Sequence, residues 1–450
     1  MSPTNYNSDI GMARSFSANV LQYRRAHKPE GVLEFLWSLS ISHWLLLAFP
    51  VIMVAIQRRR DPSEAFVVDT AALVQIGYTL LCFSYLLFRL HRFGRSIQAV
   101  AKRAPIHWMV LFAFLSLLST AWSDFPKPTA FRAFQYLVLT GLVIVSVIQL
   151  RTVERIAKFL LIYGLFVFFI FQLSSFRYTL SISALRSPLV TQTTGMLIFL
   201  ALMLNGKGWR LLFFVMCFSV VFGRSGATNV SVVAALFMLP IAGCQPKYRG
   251  IGTLLILLIA IIAVTNLDQI TGALFPGKSM GEINTLTGRL PMWEWFFREA
   301  FPQRPFLGYG FGVGESIARL DNFTGLRATH MHNILVSALA NLGLAGGFIT
   351  SLLIGSALRI AVTLKNPRQR GFICAATVAV ILNSFSLVSV TSPLSLGWIS
   401  SALMLGLLTM SRFEQTSSIR VQVVRQQHLR PVSVPRYRKM TEESGSRTQA

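Results

Sequence analysis

Three groups of residues within 283–333 have types and spacings suited to chemistry. Arg289 closes the run Ile283-Asn284-Thr285-Leu286-Thr287-Gly288-Arg289. A glycine-rich bend follows at Pro305-Phe306-Leu307-Gly308-Tyr309-Gly310-Phe311-Gly312, and then His330-Met331-His332-Asn333 where an apolar run begins. A guanidinium offers a planar fork that fits phosphate oxygens. Exposed amides in a glycine turn can cradle the same group. A neutral histidine can take a proton near neutral pH. Together, at the lip of a bilayer, these groups point to chemistry on a lipid-linked anion.

Each candidate has a plainer explanation. Gly308, Gly310 and Gly312 also suit a flexible connector. His330 and His332 are two residues apart and cannot share one helical face, and Asn333 suits either a helix cap or a partner orienting one of them. Arg298 is four residues from Glu294 and fits a simple ion pair. Arg224, in Phe222-Gly223-Arg224-Ser225-Gly226, lies in a short turn between apolar runs and could snorkel to headgroups. Glu282, Glu294, Glu299, Glu315 and Asp321 form neither a metal cluster nor the spaced pair of a hydrolase. Cys82, Cys217, Cys244 and Cys374 lack CxxC spacing and read as packing residues. No metal and no cofactor is expected.

The elements that must position these groups are membrane helices. Hydrophobic residues make up 53% of the 450 and charged residues 13%, with a mean hydropathy of +0.56. Lipid replaces water around such a chain. Apolar stretches recur along nearly its whole length, which a signal peptide does not explain. About twelve candidate spans can be counted, near 33–56, 69–89, 107–122, 132–150, 156–173, 188–205, 208–222, 228–244, 250–266, 331–358, 371–388 and 393–410. The formal net charge of +25 is explained by basic cytoplasmic loops and a basic tail, not by nucleic-acid binding.

Basic clusters follow every second span: Arg89, Arg92, Arg95, Lys102 and Arg103; Arg151, Arg155 and Lys158; Lys207 and Arg210; Lys247 and Arg249; Arg359, Lys365, Arg368 and Arg370. They place those loops and both termini in the cytoplasm. Arg58-Arg59-Arg60 disagrees and is outvoted. Residues 267–330 then form one large periplasmic loop within a membrane domain of 1–410. The composition of 411–450 predicts a disordered basic cytoplasmic tail. Within the loop, Thr287 can cap a helix that tolerates Pro291 in its first turn. Trp293-Glu294-Trp295-Phe296-Phe297-Arg298 suits a helix lying at the membrane interface, ended by Pro302 and Pro305.

These motifs resemble the O-antigen ligase and O-antigen polymerase superfamily, including exopolysaccharide polymerases. The resemblance rests on Thr287-Gly288-Arg289 with Trp293, on the 305–312 glycine turn, and on His332-Asn333 followed by Gly343-Leu344-Ala345-Gly346. Trp122-Ser123-Asp124 with Pro126 resembles an early outer-loop motif. Gly223, where members often have serine before the arginine, departs from the pattern, as does Ser187-Pro188-Leu189-Val190-Thr191-Gln192 before the sixth span. The resemblance implies an all-α, GT-C-like glycosyltransferase of the inner membrane. Its substrate would be a polyprenyl (undecaprenyl) diphosphate-linked oligosaccharide, and transfer would be metal-independent and inverting. It implies Arg289, then Arg224, as stabilisers of the leaving diphosphate, and His332, with His330 in reserve, as base. Asn333, Arg298, Gly308, Gly310 and Gly312 are expected to bind substrate, and a chain-length regulator and a flippase are expected partners. A polymerase is favoured over a ligase that delivers finished glycan to lipid A-core or another acceptor. A transporter of the lipid-linked unit is the reading from another class; the charged candidates gather at the outer rim, which favours surface chemistry.

Overall fold

The structure, a computed structural model, describes residues 31–56, 69–178, 188–204, 207–223, 225–243, 289–314, 331–385 and 396–429, with isolated positions at 250, 254 and 281. Among these residues the elements are all helical. Helices satisfy their backbone groups internally, as a bilayer demands. In chain order they are α1 (Val32–Trp37), α2 (Ile41–Ile56), α3 (Thr70–Ala101), α4 (Ile106–Leu118), α5 (Pro126–Leu150), α6 (Val153–Tyr178), α7 (Pro188–Met203), α8 (Lys207–Gly223), α9 (Gly226–Gly243), α10 (Arg289–Trp295), α11 (Ile334–Thr363), α12 (Pro367–Ser384) and α13 (Leu396–Leu429). The expected span near 250–266 lies outside the described residues. By length and composition, α3, α5, α9 and α11 could each cross a membrane.

The bundle is built around α5, whose residues from Ala133 to Leu150 are largely buried against its neighbours. Helix α3 instead shows Leu73, Leu80, Leu81, Leu87 and Phe88 to the exterior. Such a continuous apolar face would be unstable in water and is suited to lipid.

Several boundaries differ from expectation. The first span is split into α1 and α2 at residues 38–40, where Ser38 N–H and hydroxyl and Leu39 N–H tighten the last turn onto the Phe35 and Leu36 carbonyls three residues back. Helix α3 runs well past residue 89, so Arg89, Arg92 and Arg95 ride on its last turns instead of in a loop. Arg89 lies against the Tyr85 ring, 5.2 Å from its centroid. No proline interrupts this stretch before Pro105, and arginine is a good helix former.

The tail also differs. Helix α13 crosses the boundary drawn at residue 410, so 411–429 are helical and not irregular. Two contacts dock its first turns beyond that boundary. The Arg103 guanidinium lies 4.0 Å from the Phe413 ring centroid. Glu414 accepts the Val153 N–H at 3.0 Å, at the N-terminus of α6, where a carboxylate is favoured. The same end of the bundle holds Lys158, paired with Glu154 at 3.0 Å, and Arg370, which donates to the Leu364 carbonyl at 3.2 Å. Basic side chains thus gather at the end opposite the 289–314 segment.

Candidate active site

Helix α10 carries Arg289 and Trp293 on one face and Met292 on its buried side. It passes through a π turn, Phe296–Ala300, into a last turn at Phe301–Gln303. Pro302 therefore lies inside the helix and does not end it. It has no N–H to offer the Arg298 carbonyl, and the wider turn accommodates that loss. Met292, Phe296 and Ala300 pack on Tyr309, Met331, Val336 and Ala340. The loop thereby has a small core of its own.

Helix α11 is not one straight rod. Gly343 has φ 61° and ψ −156°, which breaks it. A Cβ on Gly346 would stand 2.6 Å from the Ala338 carbonyl oxygen, although eight residues of straight helix span about 12 Å. Ile334 also lines the same narrow cleft as Leu353 and Ala357. A straight helix would set Ile334 and Leu353 about 28 Å apart. The first half, 334–342, therefore folds back on the second. The apolar run read as a span from residue 331 is a re-entrant half-helix followed by a span.

The break would orphan two donors and two acceptors, and the glycine turn supplies the partners. The Ala340 and Asn341 carbonyls accept from Tyr309 and Gly310 N–H, each at 2.9 Å. Leu344 and Ala345 N–H donate to the Pro305 and Phe306 carbonyls at 2.8 and 3.5 Å. These are the groups of two bonds, 344 to 340 and 345 to 341, that would have formed i to i−4 in an unbroken helix, and the turn replaces both.

The exposed amides expected of a phosphate cradle are absent from this turn. Gly308 N–H donates to the Arg304 carbonyl, and Val313 and Gly314 N–H to that of Gly310. Phe311 N–H donates to Ser119 Oγ at 3.0 Å and Gly312 N–H to Asn341 Oδ1 at 3.1 Å. Every amide from 308 to 314 is thus engaged within the protein. Gly308, Gly310 and Gly312, at φ 66°, 101° and 80°, belong to a packed joint. They are there because the left-handed backbone and the close approach exclude a side chain.

The early motif docks this joint to the corner between α4 and α5. Trp122 Nε1 donates to the Leu307 carbonyl at 2.9 Å. A Cβ on Gly310 would collide with Ser123. Asp124 pairs with Arg304 at 2.7 Å, and Arg304 also donates to the Trp122 carbonyl at 3.2 Å. Phe311 inserts between Phe112 and Tyr136, with ring centroids 6.0 and 5.2 Å away. Arg304 and Asn341 are the positioning residues that sequence reasoning passed over. Asn341, fully buried in an apolar helix, carried a usable signal, since polar groups at such places have a specific job.

His332 follows Met331, which is fully buried and whose carbonyl accepts the Trp293 indole N–H at 2.8 Å. His332 has φ 49°, uncommon for a residue with a side chain, and is half-buried. Asn333 caps the re-entrant half-helix, its Oδ1 accepting from Leu335 and Val336 N–H at 2.9 and 3.2 Å; of the two expected roles it takes the cap. Arg289 is half-buried, and burial pulls its guanidinium below the usual value. Among the described residues no carboxylate lies within ion-pair range of it. Arg298 points outward in an exposed pair with Glu294 at 2.9 Å. Arg224 and His330 lie outside the described residues.

A helical membrane bundle with a packed loop that carries a half-buried arginine, and a histidine at positive φ in the chain's next described segment, is the class this architecture defines. Residues 211–351 match the family model described as O-antigen ligase. That match supports the O-antigen ligase and polymerase superfamily, whose general activity is glycan ligation or polymerisation at a membrane. It spans Arg224, Arg289, His330, His332 and Gly343, and stops short of the Trp122 corner. No curated protein matches the chain.

Proposed function

We propose that this protein polymerises polyprenyl-diphosphate-linked oligosaccharide repeat units into exopolysaccharide or O-antigen. The reaction takes place at the periplasmic face of the inner membrane, with both chain termini in the cytoplasm. The observation that carries this reading is the bond from the Trp293 indole, one helical turn from Arg289, to the backbone beside His332. His332 accepts the proton of the acceptor hydroxyl. That oxygen attacks the anomeric carbon as the bond to the diphosphate breaks, inverting the centre. Charge grows on the leaving diphosphate and is stabilised by Arg289, with Arg224 as the second cation. A desolvated guanidinium favours an anion beside it over water, which fits the lowered value at Arg289. Metal is not required for this route. His330 is the reserve base, and a flippase and a chain-length regulator are the partners that such polymerisation calls for.

A ligase is the second reading, favoured by the description of the matching family. A strain lacking the gene separates the two when its lipid-linked glycans and surface polysaccharide are sized. Single repeat units on the lipid with loss of long polymer support the polymerase. Long chains held on the lipid and never joined to an acceptor support the ligase. An unchanged profile of both contradicts each.

A further inference from the structure

We infer that Trp293 is a positioning residue: its indole N–H sets the backbone at Met331 and so fixes where the His332 ring stands relative to Arg289. The inference rests on the roles given to Arg289 and His332 above. Its basis is geometric. Arg289 and Trp293 are one helical turn apart on α10, with Cβ atoms about 5–6 Å from each other. Trp293 Nε1 donates to the Met331 carbonyl at 2.8 Å, across 38 positions of sequence. Met331 is itself fully buried against Met292, Phe296 and Tyr309, so it transmits the position of α10 to the next residue.

His332 needs such a constraint. A non-glycine residue at φ 49° stays there only where its neighbours over-determine it. Two of these neighbours are identifiable: the indole bond holds the residue before it, and the Asn333 cap holds the residue after it. Without the indole N–H, the Met331 carbonyl keeps its packing but loses its directional partner. His332 can then relax toward the common backbone regions, and its ring moves. The indole contributes position and touches no reacting atom.

The test compares full-length protein in proteoliposomes carrying tryptophan, phenylalanine or 3-benzothienylalanine at 293. The last keeps the bicyclic shape and lacks the N–H, so it remains informative if Trp293→Phe fails to fold. The readout is consumption of a polyprenyl-diphosphate-linked oligosaccharide, resolved into kcat and KM, alongside the melting temperature. We expect kcat to fall roughly 100-fold, the scale of a misplacement of about 1 Å, with KM unchanged and the melting temperature lowered only by as much as the loss of one buried hydrogen bond allows. A wild-type kcat in the benzothienyl protein, or a rise in KM alone, overturns the inference. Arg289→Ala and His332→Ala are measured beside it. If both are active, the underlying reading fails; if both are inactive while the benzothienyl protein is active, only the role of Trp293 fails.

Discussion

Gly308 and Gly343 meet backbone to backbone: a Cβ on Gly308 would stand 2.6 Å from the Gly343 nitrogen. Both have positive φ, 66° and 61°. The turn and the helix break are thus two halves of one joint, and each supplies the hydrogen bonds that the other lacks.

Gly343→Ala should therefore destabilise the protein more than a helix substitution of the same size. A side chain at φ 61° and ψ −156°, a region that essentially only glycine adopts, alone costs about 1–3 kcal/mol, and the new methyl meets Phe306 backbone atoms that cannot yield. Gly355→Ala is the control. It lies in the same helix, is exposed, and meets nothing within 4 Å. It should gain roughly 0.5–1 kcal/mol from helix propensity. Thermal melts of both purified variants check the contrast, and equal melting temperatures would contradict it.

Ser119→Ala should cost about 1–3 kcal/mol, because it strands the buried Phe311 N–H that its hydroxyl now accepts. Ser119→Thr keeps the oxygen and should recover part of the loss. Denaturation midpoints of the two variants measure the difference.

The helical class could be read from the sequence, because hydropathy is a local property. Most expected spans coincide with described helices. The joint could not be read in this way. Leu335 to Leu342 is as apolar as a span, and nothing in that composition says that the chain folds back at Gly343. The turn at 305–312 was recognisable by its glycines, but their purpose depends on partners some thirty residues away and on a corner near residue 122. Phosphate cradles and packed joints both ask for positive φ. Only the fate of the amides separates them, and that is tertiary information. Asn333 was legible as a cap because capping is local.

Arg304 and Asp124 should be coupled. The pair is partly exposed, so its worth is modest, roughly 0.5–1 kcal/mol. Because Arg304 also holds the Trp122 carbonyl, Arg304→Lys should not restore wild-type stability, since an ammonium lacks the fork that reaches both acceptors. A double-mutant cycle with Asp124→Ala reads the coupling, and strict additivity would contradict it.

Arg298→Ala should leave polymer length and yield unchanged. Its guanidinium is exposed and already paired with Glu294 on the outward face of the loop. Gel sizing of surface polysaccharide from a strain carrying the variant is sufficient. Loss of long polymer there would return Arg298 to the substrate site.

The most direct test of the account is Arg289→Ala, expressed in place of the native protein, with membrane levels matched and lipid-linked glycans and polymer both sized. The account predicts wild-type protein in the membrane, accumulated lipid-linked repeat units and no long polymer, with Arg289→Lys restoring little because the planar fork is lost. Wild-type polymer from Arg289→Ala would remove the arginine from the reaction and the proposed site with it.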